Sequence, residues 1–333
     1  MRIIEPRVEI LRTGLELEPI RPEQLIEKIG RTCYKSEDKI TEDSAAPFTL
    51  RFIKWGHESV LEHWSTIYQT TVEYYDAIME DYERLLHDLD IFQAERIRPF
   101  LRFTDQTMED GEVRCIISGN MRAWRNFADA CITGFKALPE YLYGIVRCNP
   151  LFFPEYQDWV PANIVNDILI PISASDLIGP EEHGVHHDVT VKFTTDRGVS
   201  HEIVRHRPAS YAQESTRYCN YSQDKFGCEI TVVRPSWCKD ELSAAWQEWE
   251  HGCRVAEASY FHMLDVGCTP QEARSVLPNS LKTELVMTAN INEWNHFFHL
   301  RCAQAAHPDI RELATVWNEM FNEIGLDYVS VKD

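Results

Sequence analysis

"HDVTVKFTTDRGVSHEIVRHRPASYAQESTR", residues 187–217, joins three local patterns in one run. Val189, Val191 and Phe193 alternate with polar neighbours, which predicts a strand with one face in the core. "SHEIVRHR" predicts a turn of helix starting at Ser200, and Pro208 then bends the chain out of helical geometry. Arg205, His206 and Arg207 come in succession, followed by Ser210, Gln213, Ser215 and Arg217. The whole chain of 333 residues carries a formal charge of −20, so this concentration of positive charge asks for a local reason. The structural alternative is a solvated basic face offset by Glu202 and Glu214.

Outward from this run the same mixture continues. "RPEQLIEKIGRTCY" and "DSAAPFTLRFIKWG" predict helices, the second stopping at Gly56. "HESVLEH" predicts a polar loop, and "WSTIYQTTVEY" a strand. "YDAIMEDYERLLHDLD" and "MRAWRNFADACITGF" have helical periodicity around a buried strand at "VRCII", whereas residues 138–182 show no clean period. After the opening run come a long amphipathic helix ending at Gly267, a short helix at "TPQEARSVLP", and a strand at "TELVMT". Helices at "NINEWNHFFHLRCAQAA" and "PDIRELATVWNEMFNEIG" close the sequence. Strands interleaved with helices predict an α+β fold with a central mixed or antiparallel sheet and long packed helices. "IISGNMRAWRNF" (116–127) and "VMTANINEWNHF" (286–297) echo one another through Asn120/Asn290, Trp124/Trp294 and Phe127/Phe297. We read the echo as two Asn-capped strand-to-helix junctions rather than as a repeat.

Composition excludes several classes. Hydrophobic residues are 44% and charged residues 26%, a globular balance, and no apolar run reaches the roughly 18–20 residues of a membrane span. The first residues lack the apolar core of a signal peptide, and the 10 cysteines form no C-x-x-C pair, so reduced thiols in the cytoplasm are expected. The acidic balance argues against a nucleic-acid partner, though a local Arg cluster can still hold a small anion. No G-x-G-x-x-G, P-loop or G-x-S-x-G occurs, so phosphate binding would fall to side chains, for which the planar guanidinium fork is suited.

R-H-R, seven residues, then S-x-R resembles the signature of flavin-dependent thymidylate synthases. "GHESVLEH" (56–63), "ARSVLP" (273–278) and "TANINEWNHFFHLRCAQAAHPDIR" (288–311) resemble three further motifs of that family, in its order. The resemblance implies conversion of dUMP to dTMP, with FAD reduced by NADPH and methylenetetrahydrofolate as carbon donor. It implies a homotetramer with sites between subunits. By the same resemblance, His63, Ser65, Arg205, His206, Arg207, Gln213, Asn290, Asn292 and His296 would bind FAD. Glu202, Arg205, Gln213, Glu214, Ser215, Thr216, Arg217, Arg274 and Arg301 would bind dUMP, with Arg217 on the phosphate. Arg301 would be catalytic, favouring ionisation of the uracil ring. Asn290 and Arg301 stand about three helical turns apart, roughly 16 Å, on one face.

Three departures stand out. Glu202 replaces a Gln of many relatives, and Asn292 replaces the Arg of an N-x-R motif. Arg122, in "NMR", keeps that pattern and could substitute for it. The third is length: about 110 residues, roughly 75 to 185, intervene as an insertion in a single domain spanning 1–333. Two rival readings are a metal-dependent hydrolase built on His183, His186 and His187, and a non-catalytic nucleotide-binding module. The preferred reading needs no metal.

Overall fold

The structure, a computed structural model, describes residues 1–16, 20–162, 168–223 and 226–327. In chain order its strands and helices are β1 (Arg2–Ile4), β2 (Arg7–Arg12), α1 (Pro22–Tyr34), α2 (Ala45–Lys54), β3 (Ser65–Thr70), α3 (Val72–Asp88) and α4 (Ile91–Ala94). Then come β4 (Leu101–Thr107), β5 (Val113–Asn120), α5 (Met121–Phe135), α6 (Tyr143–Cys148), β6 (Ile170–Ile172), α7 (Gly179–His186), β7 (Asp188–Asp196), α8 (Arg197–Ile203) and β8 (Ser210–Gln213). The last are β9 (Thr231–Val233), α9 (Ala244–Asp265), α10 (Pro270–Ala273), β10 (Lys282–Asn290), α11 (Ile291–Arg301) and α12 (Pro308–Glu323).

The mixed α and β content agrees with the sequence reading, but there are two principal sheets rather than one. One four-stranded sheet has the order β2-β7-β10-β8, the other β4-β5-β3-β6, and every pairing within them is antiparallel. β1 and β9 form a separate parallel pair. Each large sheet has its own core: Tyr68, Trp124 and Phe127 lie in one, Phe193, Trp294, Phe297, Trp317 and Phe321 in the other. β5, inside the stretch of about 75–185 read as an insertion, pairs with β3 along the whole length of β3, so that stretch shares a sheet with the strand before it.

Local chemistry explains the element ends. Asn120 and Asn290 cap α5 and α11, each side chain accepting the N–H three residues on, from Ala123 and Glu293. Asp196 caps α8 through Val199, so that helix begins at Arg197, earlier than the sequence suggested. Thr269 and Glu272 form a reciprocal capping box at α10. Two expectations change. "HESVLEH" is a compact 3-10 turn over Glu58–His63 that buries Val60, Leu61 and His63, so its apolar residues outweigh its polar flanks. The strand at "WSTIYQTTVEY" stops at Thr70, and Val72 already opens α3, whose apolar residues recur at helical spacing.

Candidate active site

The run that opened the sequence reading is assembled as β7, α8, a loop carrying Arg205–Arg207, and β8. Arg205 and Arg207 are exposed, and His206 between them is buried. Arg207 donates to the carbonyl of Val204 at 2.8 Å and lies over the Tyr211 ring at 5.0 Å.

Beneath this loop sits Arg301, the last residue of α11. Its Nη1 donates to Glu202 Oε2 at 2.7 Å, its Nη2 to the Glu202 carbonyl at 3.1 Å, and its Nε to His206 Nε2 at 2.9 Å. Arginine can only donate, so His206 accepts at Nε2 and is the neutral tautomer with its proton on Nδ1. Burial, with Arg301 and His296 nearby, pushes the His206 pKa down to about 4. Glu202 thereby acquires a structural role: as a carboxylate it takes a charge-assisted bond that orients Arg301. His296 is exposed, its ring 6.1 Å from that of His206.

The residues after β8 form a second group. Gln213 Nε2 donates to Ser200 Oγ at 2.9 Å and Thr283 Oγ1 at 3.2 Å. Glu214 is buried and paired with Lys282 at 2.8 Å. The Ser215 N–H donates to the Cys33 carbonyl, and Arg274 Nη1 donates to Thr216 Oγ1 at 3.2 Å. Arg217 and Arg274 are both exposed. No His or Asp is bonded to the Ser215 hydroxyl among the described residues, consistent with a ligand contact rather than a nucleophile. A pocket of about 470 Å³ lies alongside, lined by Lys35, Glu214, Tyr221, Lys282 and Glu284 among others. Glu284 is held down to about 2: burial opposes this, but Lys282 and Lys35 outweigh it. Sequence reasoning passed over Lys35 and Lys282; the only signal was a Lys beside strand-like residues in "LKTEL".

Other sequence-predicted residues lie elsewhere. His63 is fully buried, with Nδ1 bonded to Thr288 Oγ1 at 2.7 Å, and burial pushes its pKa down to about 3. Ser65 donates to Asp188 Oδ2, the same carboxylate that Arg102 holds through two bonds of 2.6 Å. Asn290 caps α11 and donates to the Val185 carbonyl at 3.2 Å, and Asn292 packs against Gly184. Arg122 is ion-paired with Glu62.

The three clustered histidines are spent on protein contacts. His186 bonds Ser118 at 2.7 Å and Thr104 at 2.8 Å, while His187 bonds the Thr13 carbonyl and His183. No three His, Cys, Asp or Glu side chains among the described residues are placed to hold a metal ion. No helix among them is long and apolar enough to cross a membrane.

Residues 180–324 match the family model described as "Thymidylate synthase complementing protein". A flavin-dependent thymidylate synthase of Geobacter sulfurreducens is 39% identical over 118 residues, 35% of this chain and 49% of that protein. Its namesake from Pyrococcus horikoshii is 38% identical over 128 residues, 38% and 50% of the two chains. That from Thermococcus kodakarensis is 34% identical over 153 residues, 44% and 59% of them. The chain therefore spans about half the length of the curated relatives it matches, and the "GHESVLEH" turn at 56–63 lies outside the segment matched by the family model. The part of this chain that holds the R-H-R loop, the residues after β8 and Arg301 is thus the part that carries the thymidylate synthase complementing protein pattern.

Proposed function

We propose that this chain converts dUMP to dTMP by reductive methylation, with methylenetetrahydrofolate as carbon donor and FAD, reduced by NADPH, as hydride carrier. The observation that carries this reading is a set of exposed guanidiniums held apart from carboxylates. Among the described residues, Arg205, Arg207, Arg217 and Arg274 form no ion pair, in a chain with a net charge of −20. Such donors fit the phosphates of a flavin dinucleotide and of a nucleotide monophosphate.

Arg205, His206, Arg207 and Asn290 would hold the flavin, which supplies the hydride when bound. Arg217, the chain neighbour of Thr216, and Arg274, which donates to the Thr216 hydroxyl, would take the dUMP phosphate, and Gln213 and Ser215 the rest of the nucleotide. Arg301 is oriented by Glu202 and His206 before substrate arrives. A fixed cation at the pyrimidine stabilises negative charge developing on the ring without reorganisation during the reaction. The remaining site candidates, His63, Ser65, Asn292, His296, Glu214 and Thr216, belong to the same proposal by resemblance. So do the homotetramer and the cytoplasmic location.

The test is visible absorbance of the purified chain titrated with FAD, then mixed with NADPH with and without dUMP, followed by a dTMP product assay. Flavin uptake, bleaching that responds to dUMP, and dTMP formation are expected. A chain that takes up no FAD, or that forms no dTMP, overturns the reading.

A further inference from the structure

The two four-stranded sheets follow one plan. In each, a glycine with left-handed backbone (Gly56, φ +68°; Gly179, φ +69°) begins a turn that ends in a histidine, His63 or His186. The turn feeds β3 or β7, which pairs antiparallel with β5 or β10, so that Ser65 faces Asn120 and Asp188 faces Asn290. Each Asn caps a helix whose buried Trp returns its indole N–H to the second residue of the first strand: Trp124 to Thr66 Oγ1 at 3.1 Å, Trp294 to the Val189 carbonyl at 3.2 Å. "RIRP" (96–99) leads into β4 beside β5, as "RHRP" (205–208) leads into β8 beside β10. β6 and β2 take the same edge.

Contacts between the sheets are reciprocal. His63 Nδ1 bonds Thr288 Oγ1 at 2.7 Å, and His186 Nδ1 bonds Ser118 Oγ at 2.7 Å. Thr288 and Ser118 occupy the same place, just before the capping Asn of each sheet. One contact made in both directions is the mark of a twofold axis.

We infer that residues 56–135 and 179–301 are two copies of one unit facing each other across an internal twofold axis, with chemistry-bearing residues retained by site rather than by copy. One composite site is kept, joining the turn and N-x-R of the first copy to the R-H-R stretch and Arg301 of the second. Its mirror image is lost. The echo between "SGNMRAW" and "TANINEW" is accordingly a repeat, and not only a shared way of starting a helix.

The kept side is legible in the residue types around the axis. One narrow cleft there is lined from both copies, by Glu62, Pro99, Arg102 and Asn120 of the first and by Asp188, Pro208, Ser210 and Asn290 of the second. Arg122 stands beside it, with Nη1 on Glu62 and no other side-chain hydrogen bond among the described residues. On the mirror side Asn292 replaces Arg122, Ile97 replaces His206, Met108 replaces Arg217, and buried Cys131 replaces Arg301. The third strand there has also slipped. β8 opens with Ser210 opposite Thr288, whereas β4 opens with Leu101 opposite Gly119, one place further along. A one-residue slip turns a strand's side chains to the opposite face.

Arg122 is then a fixed positive charge supplied across the internal axis to a phosphate-bearing ligand, which is the flavin if the function proposed above holds. The experiment is FAD titration of the full-length chain and its variants by visible absorbance. Wild type takes up one FAD per chain, Arg122→Ala weakens binding about tenfold or more, and Arg122→Lys recovers part of the loss. Arg98→Ala, the mirror position of Arg207, leaves binding unchanged. Two FAD per chain, no effect of Arg122→Ala, or an equal effect of Arg98→Ala overturns the inference. Should Arg122→Ala fail to fold, Arg122→Gln, which keeps a donor toward Glu62, carries the same test. Should wild type take up no FAD, the proposed function fails by itself, and pyrophosphate becomes the probe. A thermal midpoint raised by pyrophosphate in wild type and not in Arg122→Ala supports the composite site; no rise in wild type overturns it.

Discussion

Replacing Arg102 by Ala removes the cation that joins the two halves most directly. Its guanidinium holds both oxygens of Asp188 at 2.6 Å and the Val185 carbonyl at 2.8 Å, and Asp188 is 8% exposed. Without Arg102 the carboxylate stays buried, with Ser65 as its remaining hydrogen-bond donor among the described residues. Breaking one side of a buried pair costs about 3–5 kcal/mol, because the abandoned charge has lost its water as well as its partner. The sign with pH follows. Burial pushes the Asp188 pKa up, but Arg102 outweighs it and holds the carboxyl below the ordinary range. Its contribution is therefore present above the unfolded-state pKa of about 4 and lost as pH falls through the folded value. The cost of Arg102→Ala should shrink in acid. Urea unfolding at pH 7, followed by tryptophan fluorescence and far-ultraviolet circular dichroism, measures it, and adding Asp188→Asn should restore at least half. A cost under about 1 kcal/mol, or no recovery in the double variant, would refute the reasoning.

Four buried histidines, His63 and His186 at about 3 and His187 and His206 at about 4, are neutral in the folded chain and charged when unfolded below about pH 6.5. Each should cost about 1.4 kcal/mol of stability per pH unit between those limits as the unfolded state takes up protons; equal unfolding midpoints at pH 7 and pH 5 would contradict this. Asn120→Ala and Asn290→Ala should each cost about 0.5–2 kcal/mol by loss of the cap, read in the same urea experiment. Arg301→Lys should lower dTMP formation more than it weakens dUMP binding, since a lysine cannot hold Glu202 and His206 together; equal effects on kcat/KM and on dUMP affinity would remove Arg301 from the chemistry.

Much of the second half was legible because its signals are local. Alternation at Val189, Val191 and Phe193 located β7, and Asn290 and Pro308 marked helix starts that the structure reproduces. What periodicity could not give was pairing. β3 and β5 each read as strands, but nothing in either segment says that Ser65 lies opposite Asn120. The stretch from about 75 to 185 was set apart by its length alone, and length says nothing of the sheet it shares with β3. Nor could sequence foresee that His183, His186 and His187 face protein rather than a metal, since that depends on Ser118 and Thr104 arriving from another sheet. The site residues that stood out, Arg205 to Arg217, did so because exposed cations are conspicuous in an acidic chain. Lys35 and Lys282, offset by neighbouring glutamates, did not.

The reciprocal histidine contacts carry a consequence for how such a chain can change. When two identical polypeptides meet on a symmetry axis, every codon is expressed on both sides, and an alteration that suits one side is imposed on the other. Joined in one reading frame, the sides are encoded separately. Ser118 can stand where its counterpart is Thr288, and Gly119 where its counterpart is Ala289, with Leu101 and Trp124 filling the space that a methyl group would need. One half is then free to drift toward better packing while the other stays bound to its chemistry.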